Sequence, residues 1–339
     1  MLWLCGCDPP ATAPQAIAHG LDFLESQQES DGAWRSKLYR DMAGGYELTP
    51  MVAKALLFSG RTRSAQKAID FVNAGLDQKK TLVYPVYTGA EMLLLLSRSP
   101  DPVHQKAWKD LLLGYQLGTN NGWSAADPDF GGWGYAMHPP RKGGKDPMAH
   151  SNLTSTTFAL GALRVASLEA GEGAVVAGKT FVLRCQARDG GFFATPGPDV
   201  LNKAGPGVSY GSATADGVRC LLRCGLSPAD EPVKRAADWL VTHFDPLKVS
   251  GDFPAARYED RDSLYFYYLW SSAHALSALD RAGQHADRSA LARALTEQLL
   301  KIQLKDGSWR NSLGATREDD PLVATSMALA ALSLCQAWR

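Results

Sequence analysis

The sequence has no excess of either charge, no long apolar run and few cysteines. Lys and Arg together number 35, as do Asp and Glu, so no field of one sign favours nucleic acid or an anionic membrane. The longest nearly apolar stretches, 92–96 and 323–334, are shorter than the roughly 20 residues of a membrane-spanning helix. Six cysteines are too few for a disulfide scaffold in a chain of 339 residues. We therefore expect no nucleic-acid partner and no transmembrane segment.

The N-terminus is apolar over residues 1–4 and then abruptly polar and rich in proline. Leu-Cys-Gly-Cys at 4–7 resembles a bacterial lipobox, and this resemblance implies lipidation of Cys7, with a tether that ends at residue 14. A basic stretch and an apolar run of about 7–15 residues, as in a signal peptide, are missing. Residues 1–14 are therefore either a lipoprotein remnant of a cell-envelope protein or an ordinary terminus of a cytoplasmic one, and residues 15–339 form the folded domain.

A short motif, Q-x-x-D-G-x-aromatic, begins at Gln28, Gln186 and Gln303, at the end of an amphipathic helical stretch in each case. The Asp-Gly step tolerates positive φ and ends the helix, and the aromatic ring can fold back onto it. We expect the Gln amide to bond the backbone groups freed at the turn. The first two copies are close to three periods of about 53 to 58 residues apart, and the last two are close to two such periods apart. Degenerate copies begin at Gln78, Gln116 and His243.

Two kinds of helix alternate along the chain. Between more amphipathic segments lie helices rich in small and apolar residues, as suits helices that pack on both sides. The six inner segments are 48–57, 87–96, 153–163, 212–222, 268–279 and 322–332. Examples of the outer segments are 65–76, 103–113, 175–184 and 233–242. With no convincing strand pattern, six outer–inner pairs predict an all-α, single-domain (α/α)6 toroid.

The repeated motif resembles the QW motif of the squalene-hopene and oxidosqualene cyclases, and the toroid resembles the protein prenyltransferase β subunits. The resemblance covers essentially the whole chain. It implies an apolar central cavity for an isoprenoid or another hydrophobic small molecule or lipid. We expect no cofactor. Because the motif belongs to the scaffold, the chemistry needs separate evidence.

In those cyclases, a carboxyl in a D-x-D-D sequence at the start of an inner helix protonates an alkene. Residues 317–320 read Arg-Glu-Asp-Asp at such a place, with Arg instead of the first Asp. The resemblance makes Asp319 and Asp320 catalytic candidates, and Asp216 near another inner-helix start joins them. In the alternative, the acidic residues favour the helix dipole, Asp320 caps the helix and Pro321 takes its first position.

Metal-binding patterns are incomplete. The prenyltransferases hold zinc with Asp, Cys and His at inner-helix starts. The segment that begins at Asp262 resembles the D-x-Y-H-T-x-Y part of that pattern but lacks its His, while His274 lies further along and is expected to pack between helices. Cys220 falls deep in its helix, and Asp127 and Asp129 lack an EF-hand spacing. We therefore expect no metal site.

Residues near the inner-helix starts are candidates for substrate binding, because one set of helix ends in a toroid opens into the cavity. Residues 265–270 carry five large rings, which cannot all face one way. The resemblance implies that such rings stabilise carbocations. In the alternative, they fill the core. The long loop 118–151 predicts a packed lid, with loop 195–209 at the same opening. The candidates are Trp133, His150, Tyr210, Asp262, Tyr267, Tyr268 and Trp270.

Three functions remain open. One is an isoprenoid-handling enzyme similar to a terpene cyclase or prenyltransferase. Another is a noncatalytic toroid that binds a lipid, peptide or protein, with membrane association through lipidated Cys7. The third is a glycan-processing enzyme whose carboxylate pair comes from Asp216, Asp262, Asp319 and Asp320. Two cavity carboxylates about 5–10 Å apart would favour the third function, and an apolar, aromatic cavity would argue against it.

Overall fold

Two layers of helices alternate along the chain in the computed structural model, which describes residues 12–99, 101–144, 146, 148–283 and 288–336. The outer helices are α1 (Ala13–Ser26), α3 (Thr62–Asp77), α5 (Pro102–Gly114), α7 (Gly173–Arg184), α9 (Glu231–His243) and α12 (Ser289–Ile302). The inner helices are α2 (Thr49–Phe58), α4 (Pro85–Leu96), α6 (Leu153–Val165), α8 (Gly211–Arg223), α11 (Tyr265–Arg281) and α13 (Pro321–Gln336). A short helix, α10 (Tyr258–Ser263), precedes α11.

The inner helices form a closed ring. Each packs against the next one along the chain, and α13 packs against α2. The outer helices pack around this ring, and the described ranges contain no strand longer than an isolated bridge. This arrangement confirms the predicted all-α (α/α)6 toroid. Each inner helix begins within three residues of the start predicted from its small and apolar residues.

The first outer helix bears on the predicted tether. Thr12 caps α1 with a reciprocal pair of hydrogen bonds to Gln15, and the helix begins at Ala13. The last residues of the segment 1–14 therefore belong to the toroid. Cys7, the predicted lipidation site, lies outside the described residues. In the described part of the chain, no helix has both the length and the apolar character needed to cross a bilayer.

The motif glutamines join each outer helix to a neighbouring one. The Gln28 side-chain amide donates to the Gly32 carbonyl (2.9 Å) and to the Ser64 carbonyl in the first turn of α3 (2.8 Å). The other copies repeat this pair of bonds, from Gln186 to Gly190 and Pro232, and from Gln303 to Gly307 and Ala16. The last pair closes the outer layer onto α1. The expected role of the Gln amide is confirmed.

Two of the motif aromatics, Trp34 and Trp309, join an outer helix to an inner one. Trp34 Nε1 donates to the Leu24 carbonyl of α1 (2.7 Å), and the Trp34 backbone N–H donates to Thr49 Oγ1 at the start of α2 (2.9 Å). Trp309 makes the corresponding bonds to α12 and α13. The Thr near the start of these inner helices thus accepts a hydrogen bond from the turn.

A fourth turn of this kind places Trp133 in the scaffold. Gln116 donates to the carbonyls of Gly131 and Ala174 (2.8 Å each), which matches the pattern of the other glutamines. Trp133 Nε1 donates to the Leu112 carbonyl (2.7 Å), and its ring is fully buried. Trp133, predicted to bind substrate, therefore fastens α5 to the inner ring and does not face the central cavity.

Candidate functional site

A cavity of about 310 Å³ lies inside the inner ring. All six inner helices contribute to its wall; α4 and α8 do so through their second halves, and the lining residues of α2 and α13 extend to Phe58 and Leu334 near the ends of these helices. The wall is mostly apolar, with Met51, Phe158, Trp270 and Met327 among its side chains. The volume is within the range of about 300–1,000 Å³ that small-molecule sites occupy. The cavity therefore lies toward the C-terminal ends of these helices. The sequence had led us to expect it at their starts.

Stacked rings separate this cavity from the opposite end of the ring. Tyr135, from the long loop after α5, stacks on Tyr87 with centroids 5.9 Å apart, and Tyr87 lies 4.6 Å from Phe158. Trp270 continues the series at 5.4 Å from Phe158, and Tyr267 lies 5.3 Å from Trp270. The long loop thus covers the N-terminal end of the inner ring, as a packed lid would. Trp270 is the member of the stack that borders the cavity together with Phe158.

Asp216 is the centre of a buried polar network beside these rings. Its carboxylate accepts hydrogen bonds from the Tyr267 hydroxyl (2.6 Å), the Ser271 hydroxyl (2.6 Å) and Arg219 Nη1 (3.0 Å). Burial raises the pKa of Asp216, and the Arg219 charge and the two hydroxyl donors act in the opposite direction. The structure therefore brings three predicted site residues together at the ring centre: Asp216, Tyr267 and Trp270.

The cavity wall also carries three cations that the sequence analysis did not single out. Lys54 Nζ lies 2.6 Å from the Glu91 carboxylate. The Arg219 guanidinium carbon lies 4.4 Å from the centroid of the Trp270 ring, in cation–π contact. Arg223, one helical turn after Arg219, completes the set. A largely apolar cavity thus carries several charged side chains in its wall.

His274, expected to pack between helices, borders the same space. Its ring lies 4.9 Å from the Trp270 ring, edge to face. Burial lowers the pKa of His274 well below the usual value, and the charges of Arg219, Lys54 and Arg223 lower it further. His274 is therefore a neutral imidazole at physiological pH, with one ring nitrogen as a donor and the other as an acceptor.

The acidic segment before α13 does not reach the cavity. Asp320 Oδ1 accepts the Leu322 N–H (2.9 Å), and its Oδ2 accepts the Ser36 hydroxyl (2.5 Å). Asp319 accepts a hydrogen bond from the Tyr39 hydroxyl. Asp320 thus caps α13, with Pro321 in its first position, as the alternative interpretation held. Neither carboxylate lines the space where an alkene would bind.

Glu318, in the same segment, anchors the start of α11. Its buried carboxylate accepts the backbone N–H groups of Phe266 (2.8 Å) and Tyr267 (2.7 Å). These donors belong to the first turn of α11, where a helix favours negative charge. Burial raises the pKa of Glu318 to about 8. The residue holds the start of α13 against α11 and has no access to the cavity.

The remaining predicted binding residues have partners outside the cavity. The pairs are His150 with Asp129 (2.8 Å), Asp262 with Arg261 (2.7 Å), Tyr210 with Phe253 (ring centroids 5.7 Å apart) and Tyr268 with the Asp245 N–H (3.1 Å). His150 and Asp129 lie in the loop that forms the lid. These contacts make the four residues part of the structure around the ring.

A wider cleft of about 850 Å³ lies on the outer surface beside the Gln186 turn. Trp239 in its wall is only 5% exposed and stacks on His243 with centroids 4.3 Å apart. The Asp189 carboxylate accepts hydrogen bonds from Trp239 Nε1 and the Ser209 hydroxyl. The polar groups of this cleft thus bond one another, and the cleft is open to solvent. The deeper cavity, surrounded by the six inner helices, is the stronger candidate site.

Solved structures share this architecture. A variant of the type II terpene cyclase MstE from Scytonema, in complex with the product merosterolic acid A, is 13% identical with a TM-score of 0.62, over 96% of this chain and 98% of its own. The unsaturated glucuronyl hydrolase from Bacillus sp. GL1 is 13% identical with a TM-score of 0.63, over 95% and 96%. A protein from Actinoplanes is 19% identical with a TM-score of 0.59, over 96% and 100%.

This chain is thus an α/α toroid, the class of fold that these proteins share. No protein-family model matches the sequence, and none of the curated proteins does. The structural neighbours carry out different chemistry on one scaffold, so the fold alone leaves the reaction open.

Proposed function

We propose that this protein binds an isoprenoid, or a similarly elongated hydrophobic molecule, in the cavity of the inner ring. The observation that carries the proposal is the cavity itself, which is enclosed by six helices and walled mainly by apolar and aromatic side chains. Trp270 and Phe158 offer the flat surfaces on which an unsaturated chain packs well. The neighbour MstE has been solved with geranylgeranyl dihydroxybenzoate as its substrate, which supports the suitability of such a ring for isoprenoid chains.

The polar groups of the cavity favour binding over the two kinds of catalysis considered. Asp319 and Asp320 are occupied by Tyr39 and by the cap of α13, away from the ligand space. Asp216 lies behind the cavity wall, and its carboxyl group is already bonded to Tyr267, Ser271 and Arg219. A glycan hydrolase needs a pair of carboxyls at its site, whereas Glu91 is the one carboxylate among the described residues of the cavity wall and is paired with Lys54.

Attachment to the cell envelope stays part of the proposal as a separate prediction. It depends on Cys7, outside the described residues, and intact-mass measurement of protein from its own source tests it. A diacylglyceryl mass on Cys7 would support a lipid-binding envelope protein. An unmodified N-terminus at or before Met1 would remove this part and leave the cavity proposal unchanged.

A cavity-filling variant tests the binding site directly. Ala330 on α13 lines the cavity, so Ala330→Phe places a ring in the ligand space. Ala290→Phe adds the same ring at an exposed position of α12 and is the matched control. We expect farnesol and geranylgeraniol to bind the wild type and Ala290→Phe with one-to-one stoichiometry, measured by native mass spectrometry and Trp fluorescence. Ala330→Phe should lose binding, and equal binding by all three proteins would refute the assignment of the cavity.

A further inference from the structure

The charged groups around the cavity do not balance. Three cations, Lys54, Arg219 and Arg223, face two carboxylates, Glu91 and Asp216. Lys54 pairs with Glu91 at 2.6 Å, and Arg219 pairs with Asp216 at 3.0 Å. Within the described ranges, no carboxylate lies at ion-pair distance from Arg223. The cavity therefore contains one positive charge, on the partly buried Arg223 side chain, that has no carboxylate partner among the described residues.

The chain makes room for this charge inside the ring. Arg223 Nη1 donates to the Thr157 carbonyl (2.7 Å). A Cβ atom on Gly161 would lie 2.7 Å from the guanidinium carbon, so a side chain at that position would displace the group. Burial, with Arg219 nearby, lowers the pKa of Arg223 to about 10, which leaves it protonated at neutral pH. A guanidinium has five N–H donors, and a backbone carbonyl occupies only part of this capacity.

Two further buried polar atoms border the same cavity without a hydrogen-bond partner in the described part of the protein. Arg219 is 4% exposed, and its Nε has no hydrogen-bond partner within the described part of the protein. His274 Nε2 is likewise buried and lacks a partner there. Buried polar atoms in folded proteins almost always have a partner, so unpaired polar atoms indicate where a bound group supplies one. Both residues line the cavity with Arg223.

We propose that the ligand of this cavity is an amphiphile whose anionic head group, a carboxylate or a phosphate, binds Arg223, with Arg219 and His274 as further donors. Its hydrocarbon chain packs along the apolar wall formed by residues such as Met327 and Leu334. The planar guanidinium fork matches the oxygens of either head group. This inference rests on the proposed function and adds the chemical class of the ligand.

Probes with one hydrocarbon chain and different head groups test the proposal. Farnesol, farnesoic acid and farnesyl phosphate are titrated against the full chain at pH 7.5, and dissociation constants are measured by calorimetry. We expect one or both anionic probes to bind at least about tenfold more tightly than farnesol, as for a hydrogen bond to a charged group. A preference between the two anions identifies the head group as a carboxylate or a phosphate.

Variants connect that preference to Arg223. Arg223→Met keeps an apolar stem of similar length and should abolish the advantage of the anions while farnesol binds as before. Gly161→Ala keeps the arginine, crowds its guanidinium and should reduce the advantage in the same direction. Arg63→Met removes a charge from an exposed position of α3 and is the matched control, with no change expected. Circular dichroism checks folding, and Gly161→Ala carries the test if Arg223→Met does not fold.

The outcomes separate the two proposals. If farnesol binds in the wild type and neither anion binds more tightly, the head-group inference is wrong and the proposed hydrophobic site stands. An anionic preference that survives in both Arg223→Met and Gly161→Ala also overturns the inference. If none of the three probes binds, the proposed function fails, and the head-group inference fails with it.

Discussion

Replacing Asp216 by Asn tests whether the polar network at the ring centre is a linked unit. Asp216 and Arg219 are both almost fully buried, with Nη1 and Oδ1 3.0 Å apart. The substitution keeps the size of the side chain but leaves the Arg219 charge without its carboxylate. Breaking a buried ion pair from one side costs about 3–5 kcal/mol of unfolding free energy. We expect a loss in this range in urea denaturation at pH 7.

The double-mutant cycle separates the pair from its surroundings. Arg219→Met retains packing against Trp270, and the remaining Asp216 carboxylate keeps the Tyr267 and Ser271 hydroxyl donors. The double variant has neither charge, so it should lose less stability than the two single variants together, with a coupling energy of about 1–3 kcal/mol. Additive effects within about 0.5 kcal/mol would refute the reasoning, because they would mean that the two charges do not interact.

An exposed ion pair is the control for the cycle. Arg61 and Asp22 join α3 to α1 at 2.8 Å, but the Asp22 side chain is 62% exposed. Water screens such a pair, so Asp22→Asn should cost less than about 1 kcal/mol. A loss for Asp22→Asn as large as that for Asp216→Asn would show that burial does not set the cost.

Three other predictions concern pH dependence and the motif turns. Burial raises the folded-state pKa of Glu318 to about 8, above an unfolded value of about 4.5. The contribution of Glu318 to stability is therefore complete below pH 4.5 and is lost as the pH rises through 8. The loss is up to about 1.4 kcal/mol of unfolding free energy per pH unit. Relative to Glu318→Gln, the wild type should lose stability in urea titrations between pH 5 and 8.5, and a constant difference would contradict the assignment. Trp309→Phe removes a buried indole donor to a carbonyl of α12 and should cost about 1–3 kcal/mol; an unchanged thermal midpoint would show that the bond contributes nothing. Gly32 and Gly60 both have positive φ, but a Cβ on Gly32 would lie 2.5 Å from a backbone oxygen of α3, whereas Gly60 faces open space. Gly60→Ala should cost about 1 kcal/mol from strain and Gly32→Ala clearly more, so equal losses would remove the steric argument.

The fold followed from the sequence because its two signals are local and repeated. The Asp-Gly step of each motif ends an outer helix, and the Gln and aromatic side chains bond groups that the turn itself places nearby. The inner helices carry small residues on most sides, a composition that suits only positions packed between neighbours. The role of Trp133 was misread since an insertion separates it from Gln116, although Gly-Gly-Trp matches the end of the motif.

The position of the cavity did not follow from the sequence. An inner helix that is apolar on most sides gives no periodic signal for which of its faces points to the ring centre. The pattern also does not distinguish helix starts from helix ends as the part that borders the cavity. The outcome depends on Tyr135, which reaches from the lid onto Tyr87 and covers the N-terminal end of the ring. A usable signal was present: Arg219 and Lys54 stand within segments of small and apolar residues that are predicted to pack on both sides, so their charges are expected to face an internal space.

The charges within the ring distinguish this toroid from a simple scaffold. A buried ion pair rarely adds stability over apolar side chains of similar volume, and an unpaired buried cation reduces it. A ring that served only to hold the outer helices would therefore be more stable with apolar residues at Lys54, Glu91 and Arg223. The inner helices direct the negative ends of their dipoles toward these cations, which lowers the cost of burying them but leaves Arg223 without a carboxylate partner among the residues that the structure describes. A bound anion would complete this arrangement, so the anionic ligand accounts for charges that the requirements of the fold do not explain.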